Sequence, residues 1–457
     1  MDTLIAKTIA PREDDSLDRL DRLRELAADV LARCARLGVD QAEVGLSEDR
    51  GLDVDVRLGE IETLQQRHDR GLSLTVYMGQ RKGNASTADF DPHGIAATIE
   101  QACAIARHTE RDDCAGLADA ERMATEFPEL DLWHPWDIDA DAAVELALRC
   151  EAAGRELDPR ISNSEGANLG TGSSLSVYAN SHGFFGAERS SAHSLSCSLI
   201  AGEGAAMQRD YWYDSACAAA DLARPEAIGA EAARRAVARL QPRGVKTGQY
   251  PVLFAAETAR SLIGGLIGAV SGGNQYRRAS FLLDAVGQRV LPPGIDLIER
   301  PHRRRGHRSA AFDSEGVATF DNPLALDGVL QRYVLGSYSA RKLGLVSTAN
   351  AGGIHNLEVS TGNDDLATLI RGMGRGLLVT EMMGQGLNML TGDYSRGAAG
   401  FWVENGEIAW PVDEITIAGN LRQMLLGIEA IGADIDPRSH IRCGSILIGA
   451  MTVAGEG

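Results

Sequence analysis

Polar and apolar side chains take turns almost without a break between residues 160 and 215, as in the stretch SSLSVYANSHGFFGAERSSAHSLSCSLIAG. A period of two gathers apolar residues on one face of a strand but scatters them around a helix. The region therefore has to fold as a meander of strands, with 180–183 as a hairpin turn. The same alternation, bounded by glycines, marks 41–48, 51–59 and 72–79 as antiparallel strands. Leucines and alanines recur at helical spacing over 16–37, with Gly38 as the stop. Asp91 and Pro92 open a helix through His108, and further helices occupy 139–156 and the alanine-rich 225–240, before Gln241-Pro242-Arg243-Gly244 breaks the chain. The fold class expected is α+β, with mixed, largely antiparallel sheets and packed helices.

At 457 residues the chain is long enough for about three domains. The element order divides it into an N-terminal α+β domain (16–110), a linker (111–138) carrying Pro128, Trp133, Pro135 and Trp136, a central strand-rich domain (139–242) and a C-terminal α+β domain (248–457). Within the last, YPVLFAAE reads as a buried strand and 257–270 as a tightly packed helix. FWVENGEIAWPV at 401–412 reads as a hairpin whose Asn405-Gly406 suits a type I′ turn, and Asn420 is placed to cap a helix running towards Ile431.

Acidic residues outnumber basic ones by 64 to 45, for a formal charge of −19, so phosphate backbones are repelled over most of the surface and no nucleic-acid partner is expected. The cluster Arg303, Arg304, Arg305 and Arg308 reads first as a solvated loop and second as a docking spot for an acidic partner. Seven cysteines, without any CxxC pair, indicate neither a zinc ribbon nor a disulfide framework. Cys34, Cys103 and Cys150 fall in helical apolar patterns and read as small buried hydrophobes. The N-terminal MDTLIAKTIAPREDD turns acidic before any adequate apolar run, unlike a signal peptide, and no stretch reaches the length of a membrane span. The cytoplasm is the compartment expected, with no membrane partner.

The sequence carries no GxxxxGK[ST], GxSxG or HExxH pattern and no deaminase signature, which leaves phosphate cradles, nucleophile elbows and common zinc helices without support. His302 and His307 are five apart, but three arginines lie between them and would oppose a dication. His440 and Cys443 form an HxxC pair, two ligands where zinc takes three or four. His355, after Gly352-Gly353, either points into a groove and hydrogen-bonds a peptide or packs its own loop.

Several blocks, taken in order, resemble one family. They are Gln80-Arg81-Lys82-Gly83 with Asn84-Ala85-Ser86, then Ser271-Gly272-Gly273 with Tyr276-Arg277-Arg278 and Ser280-Phe281-Leu282-Leu283-Asp284. Next come Tyr338-Ser339-Ala340-Arg341-Lys342-Leu343-Gly344, Asn350-Ala351-Gly352-Gly353 and His355-Asn356-Leu357. Asp393-Tyr394-Ser395-Arg396-Gly397-Ala398-Ala399-Gly400, Val403-Glu404-Asn405-Gly406-Glu407 and Glu414-Ile415-Thr416-Ile417-Ala418-Gly419-Asn420-Leu421 complete the set. Together they resemble the TldD/TldE (PmbA) metallopeptidases, and the TldE/PmbA type in particular.

The resemblance implies a heterodimeric peptidase. Its TldD-type subunit binds zinc through an HExxxH helix and a later cysteine. Histidines five apart miss one face of a regular helix, so that motif needs a locally widened turn. The metal would activate water, with the glutamate as general base. Here the equivalent stretch, 261–271, reads SLIGGLIGAVS, without histidine or glutamate, and Cys443 resembles the cysteine ligand. The implied role is that of a non-catalytic subunit, with no catalytic or metal-binding residue of its own and with zinc in a TldD-type partner. Unfolded and leader-bearing peptides are the implied substrates. The C-terminal domain is expected to meet the partner and help shape the peptide channel. Gly352, Gly353, His355 and Asn356 in one block, and Tyr394, Ser395 and Arg396 in another, are the residues expected to face substrate or partner. Two other readings stand beside this one. The first is a regulatory protein-binding partner of the gyrase-modulator kind. The second is a self-sufficient hydrolase using His440, Cys443 and His355.

Overall fold

The computed structural model describes residues 14–455, so most of the N-terminal stretch compared above with a signal peptide lies outside the described residues. Helix α1 (Ser16–Arg36) buries Leu20, Leu23, Ala27, Val30 and Cys34 along one stripe, as its spacing requires. Strands β1 (Gln41–Arg57) and β2 (Glu60–Met78) form a long hairpin. Its two-residue turn, Leu58-Gly59, has both φ angles positive (53° and 84°), the type I′ geometry that matches strand twist. The two segments expected at 41–48 and 51–59 are thus one continuous strand. Strand β3 (Arg81–Thr87) leads to α2 (Pro92–His108), where the Asp91 carboxylate accepts from the amides of His93 and Gly94.

After an irregular stretch comes α3 (Ala140–Arg155), then β4 (Ile161–Asn180), β5 (Phe185–Ala201), β6 (Gln208–Ala216) and α4 (Pro225–Ala238). All six strands form one antiparallel sheet in the order β3-β2-β1-β4-β5-β6. Its central strand β1 pairs β2 on one side and β4 on the other, so N-terminal and central segments share a single sheet. Helices α1 and α2 cover one region of its apolar face, α3 and α4 another. The latter two cross at Gly154 and Gly229, and a Cβ on Gly229 would lie 1.9 Å from the Cys150 carbonyl oxygen. Gly229→Ala is therefore expected to push the helices apart, at a cost of about 1–3 kcal/mol, read as a fall in Tm by circular dichroism.

The C-terminal part begins with β7 (Gly248–Phe254) and α5 (Ala256–Ala269). Short strands β8 (Leu297–Glu299), β9 (Asn322–Leu326), β10 (Val329–Leu330) and β11 (Leu357–Val359) follow. Then come β12 (Gly376–Met383), β13 (Asp393–Glu404), β14 (Glu407–Asn420), β15 (Ile428–Ile431), β16 (Ile441–Arg442) and β17 (Ile446–Ala454). One sheet runs β10-β9-β8-β11-β16, the other β14-β13-β12-β7-β17-β15. In the latter, Thr416–Ala418 of β14 also pairs with 452–454 of β17, which closes five strands into a ring. The β13–β14 turn is at Asn405-Gly406, with φ of 54° and 76°. Asn420 does not cap with its side chain. Its amide donates to the Thr391 carbonyl (2.9 Å), the helix it precedes ends at Leu426, and 428–431 pairs with β17 as a strand instead.

A buried charge network joins the central and C-terminal parts. Arg239, 7% exposed, pairs with Glu381 and approaches Asp210 and Asp413 at 3.7 Å each. Arg235 binds Asp210 (3.2 Å) and Glu257 (2.9 Å), while Arg438 stacks on Trp212 at 3.9 Å and donates to the Tyr213 carbonyl.

Candidate functional site

The face of the six-stranded sheet turned away from α1 and α2 is built of small polar residues. Val44, Leu46, Leu72, Leu74 and Val177 point to the core, so their neighbours Gly45, Ser47, Gly71, Ser73, Ser176 and Tyr178 point the other way. The register sets them in rows. Ser47 lies opposite Gly71 and Ser176, and Ser176 lies opposite Glu188. Because this floor is serine and glycine, a groove of about 920 Å³ remains between it and the C-terminal segments at 307–314 and 351–355.

The roof is seated on the sheet by Phe312. Its ring fills the space a side chain would need at Gly186, where a Cβ would lie 2.4 Å away, and it meets Phe184 edge-on at 5.3 Å. Next to it, Asp313 accepts from the amides of Ala351 (2.9 Å), Glu315 (2.9 Å) and Val317 (3.0 Å). Burial still pushes its carboxyl up to about 6, against those three bonds.

The inner wall is organised by Glu299, which is 2% exposed. It accepts from Arg332 Nη2 (2.5 Å), Asn350 Nδ2 (2.8 Å), and both the backbone N–H (2.6 Å) and Nδ1 (2.8 Å) of His355. Nδ1 of the ring is held by the carboxylate, and Nε2 has no partner among the described residues. Glu188 closes the same end. Its Oε1 is buried without a hydrogen-bond partner, and burial pushes the carboxyl up to about 7, opposed more weakly by the charge of His355 and the Ala311 amide.

That shift makes a prediction. The folded chain binds the Glu188 proton more tightly than the unfolded one. The native state therefore loses stability as pH rises from the ordinary carboxylate value towards about 7, and loses no more above it. Glu188→Gln is expected to raise stability at pH 8 by up to roughly 3 kcal/mol, and to leave it unchanged near pH 4. Calorimetry at the two pH values checks this.

Of the residues the sequence singles out, His355 lines the groove, and Gly352, Gly353 and Asn356 hold its roof. Arg308 donates Nη2 to the Gly352 carbonyl (2.9 Å) and its backbone N–H to Asn356 Oδ1 (3.0 Å), and Asn356 Nδ2 donates to Ser309 Oγ (2.8 Å). Gly352 and Gly353 have φ of 89° and 105°, a backbone that side-chain-bearing residues avoid. Tyr394, Ser395 and Arg396 do not join this site. They lie on β13, where the Tyr394 hydroxyl faces Met382 Sδ (3.2 Å), the Ser395 amide donates to the Gly386 carbonyl (2.8 Å) and Arg396 Nη2 donates to the Gly384 carbonyl (2.6 Å). The arginine cluster lies on a solvent-exposed, turn-rich loop, and carboxylates of this chain occupy most of it, which leaves little for an acidic partner. Arg303 binds Glu358 (2.7 Å), Arg304 approaches Asp131 (3.3 Å), and Arg305 binds Asp131 and Asp221 (2.8 Å each).

Residues near α5 do not suit a zinc ion. The helix offers serine, leucine, isoleucine and glycine over 261–268. Cys443 is fully buried, its thiol pushed up to about 12 by burial, and so remains protonated. Burial and the nearby Arg308, His307 and Arg260 push His440 down to about 4. Among the described residues, no three His, Cys, Asp or Glu side chains are grouped to hold a metal ion.

Sequence reasoning missed Glu188, Glu299 and Asp313. A carboxylate inside a serine-rich alternating strand, and another inside a short apolar strand, were the available signals.

Comparison with known proteins places these features in context. Three family models match in chain order: PmbA/TldA metallopeptidase domain 1 over residues 42–106, the central domain over 133–240 and the C-terminal domain over 247–455. The chain is 48% identical over 417 residues to metalloprotease PmbA of Escherichia coli O157:H7, covering 91% of this chain and 93% of that protein. A crystal structure from Bacteroides thetaiotaomicron, of a protein described as a modulator of DNA gyrase, superposes with a TM-score of 0.91 at 29% identity, covering 95% of this chain and 99% of that one. TldE from Thermococcus kodakarensis shares the fold, with a TM-score of 0.83 at 22% identity over 94% of this chain and all of its own. No helix among the described residues is long and apolar enough to cross a membrane.

Proposed function

The chain belongs to the PmbA/TldD metallopeptidase family, and we propose that it is the non-catalytic subunit of a two-chain zinc peptidase acting in the cytoplasm. A TldD-type partner carries the zinc, and this chain helps to enclose the path by which unfolded or leader-bearing peptides reach it. The observation that carries the reading is the composition of α5. Where catalytic members present HExxxH, residues 261–268 of this helix present Ser261, aliphatic side chains and glycine, which offer zinc no usual ligand and water no general base, and the helix's one carboxylate, Glu257, is paired with Arg235. The inert Cys443 thiol supports the same reading.

Reconstitution tests it. The purified chain should hold far less than one zinc per molecule and cleave no unfolded peptide, and cleavage should appear when a TldD-type chain is added. About one tightly held zinc per chain, with hydrolysis by the chain alone, would overturn the proposal. A second reading, a regulatory protein-binding role, is favoured by the gyrase-modulator description of a structural neighbour. The net charge of −19 points such a role at a protein and away from DNA. Affinity for a gyrase subunit in the absence of any TldD-type chain would favour it.

A further inference from the structure

We propose that the groove between the six-stranded sheet and the 307–314 segment binds a short extended peptide through a primary ammonium group, which docks on Glu188. The inference rests on the proposed role only for the choice of a peptide as the ligand class.

Three observations carry it. First, the groove has the right length. From Gly71 through Ser47 and Ser176 to Glu188 there are three strand-to-strand steps, about 14 Å at ~4.8 Å each, which an extended peptide covers in about four residues at ~3.3 Å per residue. Second, its closed end has unused acceptors. Glu188 Oε1 is buried and unpartnered, and the Ser176 hydroxyl stands across the strand pair from Glu188. An ammonium group has three N–H donors and would satisfy acceptors that otherwise stay bare in a desolvated pocket. Third, the charges are ordered along the groove. Arg308 turns its guanidinium to the Gly352 carbonyl, while Arg70 stands at the far mouth over Phe90 at 5.0 Å and has no carboxylate partner among the described residues. Acid lies at the inner end and base at the outer end, the polarity of a peptide whose amino end enters first.

The ammonium group could be an α-amine or a lysine side chain. Isothermal titration of the full chain, without any partner, separates the two and tests the proposal. The probes are tetraalanine, its N-acetyl form, and N-acetyl-Lys-Ala-Ala-Ala. Tetraalanine should bind, and acetylation should weaken it at least tenfold. Glu188→Gln should weaken tetraalanine by a similar factor and abolish the difference between free and acetylated forms. Recovery of binding by the lysine peptide identifies the side-chain amine as a second source. Ser176→Leu, which fills the floor while leaving the acid in place, should also block binding, with thermal unfolding confirming that both variants are folded. Equal binding of free and acetylated peptide, wild-type affinity in Glu188→Gln, or no binding of tetraalanine at millimolar concentration would each refute the site. Since no partner is present, that failure is distinct from a failure of reconstituted hydrolysis.

Discussion

Glu299→Ala unfolds at a markedly lower temperature than the wild type, the expected loss being about 3–5 kcal/mol. Four donors converge on this carboxylate, and its removal leaves the Arg332 guanidinium, 10% exposed, as an uncompensated buried charge. The backbone N–H of His355 loses its partner as well. Pairing Glu299→Leu with Arg332→Met should recover most of the loss, because a buried ion pair and a packed apolar pair of similar volume differ little in stability. A double-mutant cycle by calorimetry tells the two outcomes apart, and a single mutant within 1 °C of wild type would refute the account. The pH dependence has a definite sign. Burial alone would raise the Glu299 carboxyl, but the His355 hydrogen bond and the Arg332 charge outweigh it and hold the group below its ordinary value. Its contribution is complete above the ordinary carboxylate range and is lost as pH falls through the lower, folded value.

The second large effect lies at the junction of the central and C-terminal parts. Arg239→Ala is expected to cost about 3–5 kcal/mol, because the guanidinium is enclosed by Asp210, Glu381 and Asp413 and Asp210 is itself only 5% exposed. Arg235 retains its own bond to Asp210, and Arg209 stays 3.5 Å from Glu381, so the residual repulsion falls chiefly on Asp413. The calorimetric endotherm should broaden or split as the two parts melt at different temperatures, whereas an unchanged endotherm would show that the network carries no coupling. Arg239→Lys should rescue only part, since a single ammonium cannot fork between partners as a guanidinium does.

Much of the fold was legible because burial leaves a period in the sequence. The apolar stripe of α1, the Asp91 cap, the alternation of β4 and β5 and the Asn405-Gly406 turn are all local signals that tertiary structure preserved. Residues 60–70 of β2 were not legible, because both faces are exposed there and no alternation is required. The Asn420 helix was overread, since β17 claims residues 428–431 as a strand and the cap signal cannot foresee that competition. The site was legible only in part. Gly352, Gly353 and His355 stood out by backbone demand and chemistry, but Glu299 and Glu188 acquire their character from neighbours 56 and 167 residues away, respectively, in the chain.

Five C-terminal strands return to their own beginning through Thr416–Ala418 of β14 alone, and a sixth, β15, lies along the other stretch of β17. In the Asn405-Gly406 hairpin β13 is paired on both sides, while Glu407–Ile415 of β14 has no strand on its outer side among the described residues. The longer opening is in the other six-stranded sheet, because β3 begins its pairing with β2 only at Leu72 and leaves 60–70 unzipped on the outer side. A guest chain that knits itself to this protein through main-chain amides has its longest free selvage there.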